Sequence, residues 1–174
     1  ADHAELAREL MKRMKPEAIR SRNANGQSGL HCAAADLGPY SCWSDIRRDL
    51  WAPLLDPDTI NAVDVDGNTA LIIALDQGCK GAADDGDEFC RLLIPTMSNE
   101  AICAVNGEGL TAMSMMMIGE TSEECCLELI ARFDANGIRE LKMTWPEDSH
   151  HSLAIALISK MSAAALAALE VAAR

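Results

Sequence analysis

Three stretches of this chain spell nearly the same phrase. They are Asn25-Gly26-Gln27-Ser28-Gly29-Leu30-His31-Cys32-Ala33, Asp66-Gly67-Asn68-Thr69-Ala70-Leu71-Ile72-Ile73-Ala74 and Glu108-Gly109-Leu110-Thr111-Ala112-Met113-Ser114-Met115-Met116. In each, a Gly turn is followed two residues later by a hydroxyl side chain, then a small residue and an apolar run. Leu30, Leu71 and Met113 are equivalent and stand 41 and 42 residues apart. A sustained interval of that size points to stacked units, each burying its apolar face against the next. Ile19, Ile60 and Ile102 precede the three equivalent positions by the same eleven residues, so the repeated unit is longer than the turn.

Each unit reads in four steps. A short extended piece carries the Ile and leads into a tight Asn/Asp-Gly turn. Ser28, Thr69 or Thr111 then caps a first helix, its oxygen accepting a backbone N–H. Gly38, Gly78 or Gly119 closes that helix, since Gly enters the left-handed region at little cost. After a variable loop (39–42, 79–86, 120–122) comes a second helix. Its apolar stripe is Ile46/Leu50/Leu54, Phe89/Leu92/Leu93 or Cys126/Leu129/Ile130/Phe133, with the spacing of three and four that a half-buried helix requires. Leu6, Leu10 and Met14 predict a helix over 4–14, ended near Pro16. Ser152 to Ile158 echoes the first-helix core, with 162–173 as its second helix. Terminal units of a stack are atypical because they cap it. The expected organisation is one all-α domain with short hairpin loops: a lead-in helix (1–22), repeats at 23–63, 64–105 and 106–142, and a degenerate end unit (143–174).

Composition narrows the function. Apolar residues make up 49% of the chain and aromatics 3%, so the core must be built from Ala, Leu, Ile and Met, which suits closely packed helices. The net charge is −12. Binding to nucleic acid or to an anionic membrane needs clustered Lys and Arg, so neither is expected. No apolar run approaches a membrane span. The charge is uneven: Arg8, Lys12, Arg13, Lys15, Arg20 and Arg22 face only Asp2, Glu5, Glu9 and Glu17 in the first 22 residues, leaving −14 elsewhere. The seven Cys (32, 42, 79, 90, 103, 125, 126) are odd in number and lack a Cys-x-x-Cys pair. That predicts free thiols in a reducing, intracellular compartment, the cytoplasm first and an organelle interior after loss of a targeting peptide second. The chain does not start with Met.

The unit Thr-small-Leu-x-x-Ala, carried by Ser28 to Ala33 and Thr69 to Ala74 and more weakly by Thr111 to Met116, resembles the ankyrin repeat. His31 stands at the family's His position, and Asp64 to Gly67 fits its hairpin. The resemblance covers roughly 17–133. It departs in period, about 33 in that family, and in Gly29, Ala70 and Ala112 standing where Pro is usual. A HEAT- or armadillo-like stack fits the period better and the capped turns worse. The resemblance implies an ankyrin-like solenoid and a non-catalytic scaffold that binds a protein through hairpin tips and first-helix ends. By position those contacts are Asn25, Gln27 and Asp36, then Val65, Asp66, Asn68, Asp76 and Gln77, then Glu108, Leu110 and Ile118, with Ala24, Ala35 and Gly107 beside them. The acidic tips favour a basic partner segment. The alternative is a structural subunit of a large multiprotein assembly, docking through its end caps and convex face. The sparsely charged helix at 162–173 and Trp43 and Trp51 motivate that alternative.

No residue pattern calls for catalysis, a metal or a cofactor. His150-His151 beside Glu147 and Asp148 is the remote metal candidate, and its spacing matches no helical zinc motif. Asp84 to Glu88 lacks the alternating ligands and closing Glu of a calcium loop and reads as an acidic solvated loop that also supplies carboxylates to the next helix N-terminus. Gly107-Glu108-Gly109 is a turn, His31 a structural His linking neighbouring turns, and Met113, Met115, Met116 and Met117 core. Cys125 and Cys126, as helix neighbours, diverge, leaving one in the core.

Overall fold

A computed structural model describes residues 6, 9–10, 12–37, 55–78, 83–118 and 121–132, with 78, 83–85 and 118 described by backbone only. Among them the chain is helical and has no strand. The one extended pairing is an isolated antiparallel bridge between Val63 and Thr69. The helices are α1 (Pro16–Ile19), α2 (Gly29–Ala35), α3 (Pro57–Ile60), α4 (Ala70–Gly78), α5 (Ala83–Leu93), α6 (Asn99–Ile102), α7 (Ala112–Ile118) and α8 (Glu123–Arg132). The predicted elements at 38–54 and 133–174, with Trp43, Trp51 and the end unit, lie outside the described residues.

The three turns are built alike because one local mechanism recurs. Asn23, Asp64 and Asn106 each use a single side-chain oxygen to accept two backbone N–H groups: those of Asn25 and Gln27, Asp66 and Asn68, Glu108 and Leu110. The N–H of Gly26, Gly67 or Gly109 donates back to the carbonyl of that Asn or Asp. All three Gly have φ between 73° and 80°, where a Cβ is penalised. The hydroxyl caps then start the first helices. Thr69 Oγ1 accepts from Ile72 N, and Thr111 Oγ1 from Ser114 N, while Ser114 Oγ accepts from Thr111 N in return.

The pieces carrying Ile19, Ile60 and Ile102 are not extended as the sequence reading expects. Each Ile ends a four-residue helix: α1, α3 or α6. Pro16 and Pro57 sit in the first helical turn, where a missing N–H costs nothing. Asp56 caps α3 through Asp58 N and the Thr59 hydroxyl, and Ser98 caps α6 through Ala101 N. A single turn is too short to show a 3.6-residue period, which is why the pattern misleads. Burial alone would raise the Asp56 carboxyl, but the Thr59 hydroxyl, Arg20 and the two N–H groups outweigh it and hold the group below its ordinary value.

Packing follows the repeat. Helices α2, α4 and α7 lie side by side in one layer, α5 and α8 in a second, with α4 against α5 and α7 against α8. Leu30, Leu71, Leu75, Leu93, Met113, Met116 and Leu129 fill the space between, all fully buried. Met113, Met115, Met116 and Met117 are core as expected. Cys125 and Cys126 are both buried, not one of them, and Cys90 joins them. Helix α5 begins at Ala83, so half of the expected 79–86 loop is helical. Asp87 lies within this helix, not in a loop ahead of it, and accepts Ser122 N just ahead of α8 (3.2 Å), so it serves the following unit rather than the start of its own helix. Arg132 closes the second layer by donating to the carbonyls of Ile94, Pro95 and Met97 and to Asn99 Oδ1. At the other end, Leu6 and Leu10 lie exposed, with only Met14 of their stripe half-buried.

Candidate interaction surface

The turns stand next to one another because the layers behind them are in register. Val65 N–H donates to the Asn25 carbonyl (3.0 Å), and Gly107 N–H donates to the Asp66 carbonyl (2.7 Å). The same two turn positions are linked at each step, so the turns form a row. The approach is close. A Cβ at Gly67 would lie 3.1 Å from Asn106 Cα and 3.3 Å from the Val105 carbonyl, whereas one at Gly26 would meet Val65 N at 3.4 Å.

Side chains beneath the tips fasten the row. His31 is fully buried. Its Nδ1 lies 3.2 Å from Ser28 N and 2.8 Å from Ser28 Oγ, and its Nε2 lies 3.1 Å from the Asn68 carbonyl. A backbone N–H can only donate, so Nδ1 carries the lone pair and the proton sits on Nε2, donating to Asn68. His31 therefore ties the first turn to the second, as the sequence reading expects, and neither nitrogen is left for acid–base chemistry. Burial pulls its pKa below 6.5, partly opposed by the Asn68 carbonyl and Asp64. From the second turn to the third, Asn106 Nδ2 donates to Asn68 Oδ1 (2.9 Å). Arg22 reaches the Val63 carbonyl (3.4 Å) on the flank.

The expected contact residues divide into two groups. Asn25, Val65, Asp66 and Glu108 project from the tips into solvent, Val65 at 68% exposure. Asp36 is exposed at the end of α2, and Asp76 and Gln77 are half-buried on the last turn of α4. Asn68, Gln27 and Leu110 serve the framework instead. Asn68 is engaged as above, Gln27 Oε1 accepts from Asn23 Nδ2, and Leu110 packs on the core. The side chain of Ile118 lies outside the described residues. Exposed Val63 and Val105 flank the row and were not anticipated. Both stand three residues after the repeated Ile, a spacing that could have found them. The turn anchors Asn23, Asp64 and Asn106 are visible in the repeat, but their double acceptance emerges only in the folded chain.

The exposed row carries carboxylates and apolar methyls. Among the described residues no group of three or more His, Cys, Asp or Glu could hold a metal ion, and no helix is long and apolar enough to cross a membrane. His150 and His151 fall outside those residues. Comparison with family models, with curated proteins and with solved structures finds no match.

Proposed function

We propose that this chain is an ankyrin-like, non-catalytic scaffold that binds a protein partner along its row of turns. One observation carries the reading: Asn25, Val65, Asp66 and Glu108 project from turns tied together by backbone hydrogen bonds. Ordering such a surface on binding costs little, because it is already ordered. The carboxylates of Asp66 and Glu108 set its sign and favour a basic segment, mainly by speeding encounter. The valine methyls beside them supply apolar contact.

The test places a photo-crosslinking residue at 25, 66 or 108, with a control at Glu123 on α8, in the source cells. One partner should be reached from the turn positions and not from the control. Asp66→Lys with Glu108→Lys should weaken binding to that partner about tenfold or more while leaving the unfolding midpoint in place. Unchanged binding refutes the surface assignment. The assembly-subunit reading is favoured by one feature, the exposed Leu6 and Leu10. It requires Leu6→Asp with Leu10→Asp to abolish association that the turn variants leave intact.

A further inference from the structure

The chain contains the dipeptide Asn-Gly on two described turns, at Asn25-Gly26 and Asn106-Gly107. An Asn followed by Gly is the sequence most prone to spontaneous deamidation, because no Cβ hinders ring closure. The Gly nitrogen loses its proton and attacks the Asn Cγ, the Cγ–Nδ2 bond breaks and ammonia leaves. Water then opens the cyclic imide at either carbonyl, giving aspartate or isoaspartate. The net change is one water consumed and one ammonia released. Two sites of identical chemistry sit here in different surroundings.

Asn106 is held at every point the reaction must free. Its Oδ1 accepts from Glu108 N (3.0 Å) and Leu110 N (2.8 Å), and its Nδ2 donates to Asn68 Oδ1 (2.9 Å). The attacking nitrogen, Gly107 N, is engaged with the Asp66 carbonyl at 2.7 Å. Asn25 is exposed, and its carboxamide makes no hydrogen bond among the described residues. Only Gly26 N is engaged, with the Asn23 carbonyl at 2.9 Å. The holding of Asn106 comes partly from its own turn, which it anchors through Oδ1, and partly from the stack, through Asn68 and Asp66, while Asn25 is a tip.

We propose that Asn25 is a self-modification site of the folded protein, and that Asn106, its chemical twin, is protected by its place as turn anchor and by the stack. The three extra bonds at Asn106 each slow the reaction by a factor of about five, so the two rates differ on the order of a hundredfold. The product matters for the surface. Asn25, Asp66 and Glu108 occupy equivalent tip positions, and conversion of Asn25 makes all three acidic. Isoaspartate also routes the main chain through Cβ and Cγ, adding a methylene, and turns the Asn25 carbonyl that receives Val65 N–H into a free carboxylate. The consequence for binding rests on the proposed scaffold function; the modification itself does not.

The test is timed incubation of the folded chain in mildly alkaline buffer, followed by peptide mapping. The readouts are the mass gain of amide replaced by acid and enzymatic detection of isoaspartate. Peptides carrying Asn25 should convert about a hundred times faster than those carrying Asn106, and the rates should converge in denaturant. Comparable rates in the folded protein overturn the proposal, as does protection of both sites. Asn68→Ala, which removes a partner of Asn106, should raise its rate in protein that still melts cooperatively. No increase in such protein would show that the bond network is not what protects Asn106. Asn25→Asp, applied to the crosslinked partner, separates the two ideas: unchanged affinity for a basic partner counts against the binding consequence and leaves the chemistry standing.

Discussion

Replacing Gly67 by Ala tests how tightly the turns are stacked. Gly67 has φ +80°, and an L-residue there costs about 1–2 kcal/mol. The added Cβ also meets Asn106 Cα at 3.1 Å and the Val105 carbonyl at 3.3 Å. Both are backbone, so relief requires the third turn to move, at a further cost of about 1–2 kcal/mol. Gly26→Ala is the matched control. Its φ is +73°, but its nearest neighbour is at 3.4 Å, near ordinary contact, so only the backbone cost of about 1–2 kcal/mol applies. Urea unfolding should show a lower midpoint for both variants with unchanged slope, the Gly67 variant losing about 2–4 kcal/mol in all. The Gly67→Ala variant should also expose the Gly107 amide to hydrogen exchange. Equal losses in the two variants would refute the inference that the second and third turns are in tighter contact than the first and second.

Three further outcomes follow. The folded-state pKa of His31 lies below its unfolded value of 6.5, so unfolded chains bind the extra proton first. The contribution is fully present above about 6.5 and is lost as pH falls through that value toward the depressed folded pKa; His31→Gln should flatten that part of a stability–pH curve. Arg132→Ala leaves three carbonyls without their charged donor and should cost about 2 kcal/mol in thermal or urea unfolding, with Arg132→Lys recovering little because the contact needs a fork. Cys32 is exposed, whereas Cys90, Cys125 and Cys126 are buried, and burial pushes the Cys126 thiol up to about 12. Peptide-resolved alkylation should therefore modify Cys32 in the native protein and the other three only after unfolding.

What could be read in advance was what acts locally. A Gly at positive φ, a hydroxyl at a helix start and an apolar stripe at Phe89 and Leu93 each work within a few residues, so the pattern exposes them. The four-residue helices ending at Ile19, Ile60 and Ile102 escaped because one turn has no period. Contacts between units, apart from the linking role of His31, escaped for a different reason. That Asn68 is the residue serving both Asn106 and His31, and that Arg132 reaches back to Met97, depends on the register of stacking. No local pattern encodes that register. Assigning Asn68 and Leu110 to the contact surface failed on the same ground, since position within a unit does not say what the next unit uses. The joint burial of Cys125 and Cys126 shows the limit of helical-face arguments. Helix α8 has neighbours on more than one side, so adjacent residues can both be covered.

The row of turns is joined tip to tip by main-chain atoms: the Asn25 carbonyl with Val65 N–H, and the Asp66 carbonyl with Gly107 N–H. Main-chain atoms are the same whatever the residue. The tips at 25, 66 and 108 thus resemble type set in a fixed frame, whose letters can be exchanged without rebuilding the press. A variant library confined to those three positions should explore recognition while leaving the architecture beneath it untouched, a separation that most binding surfaces built from packed side chains do not offer.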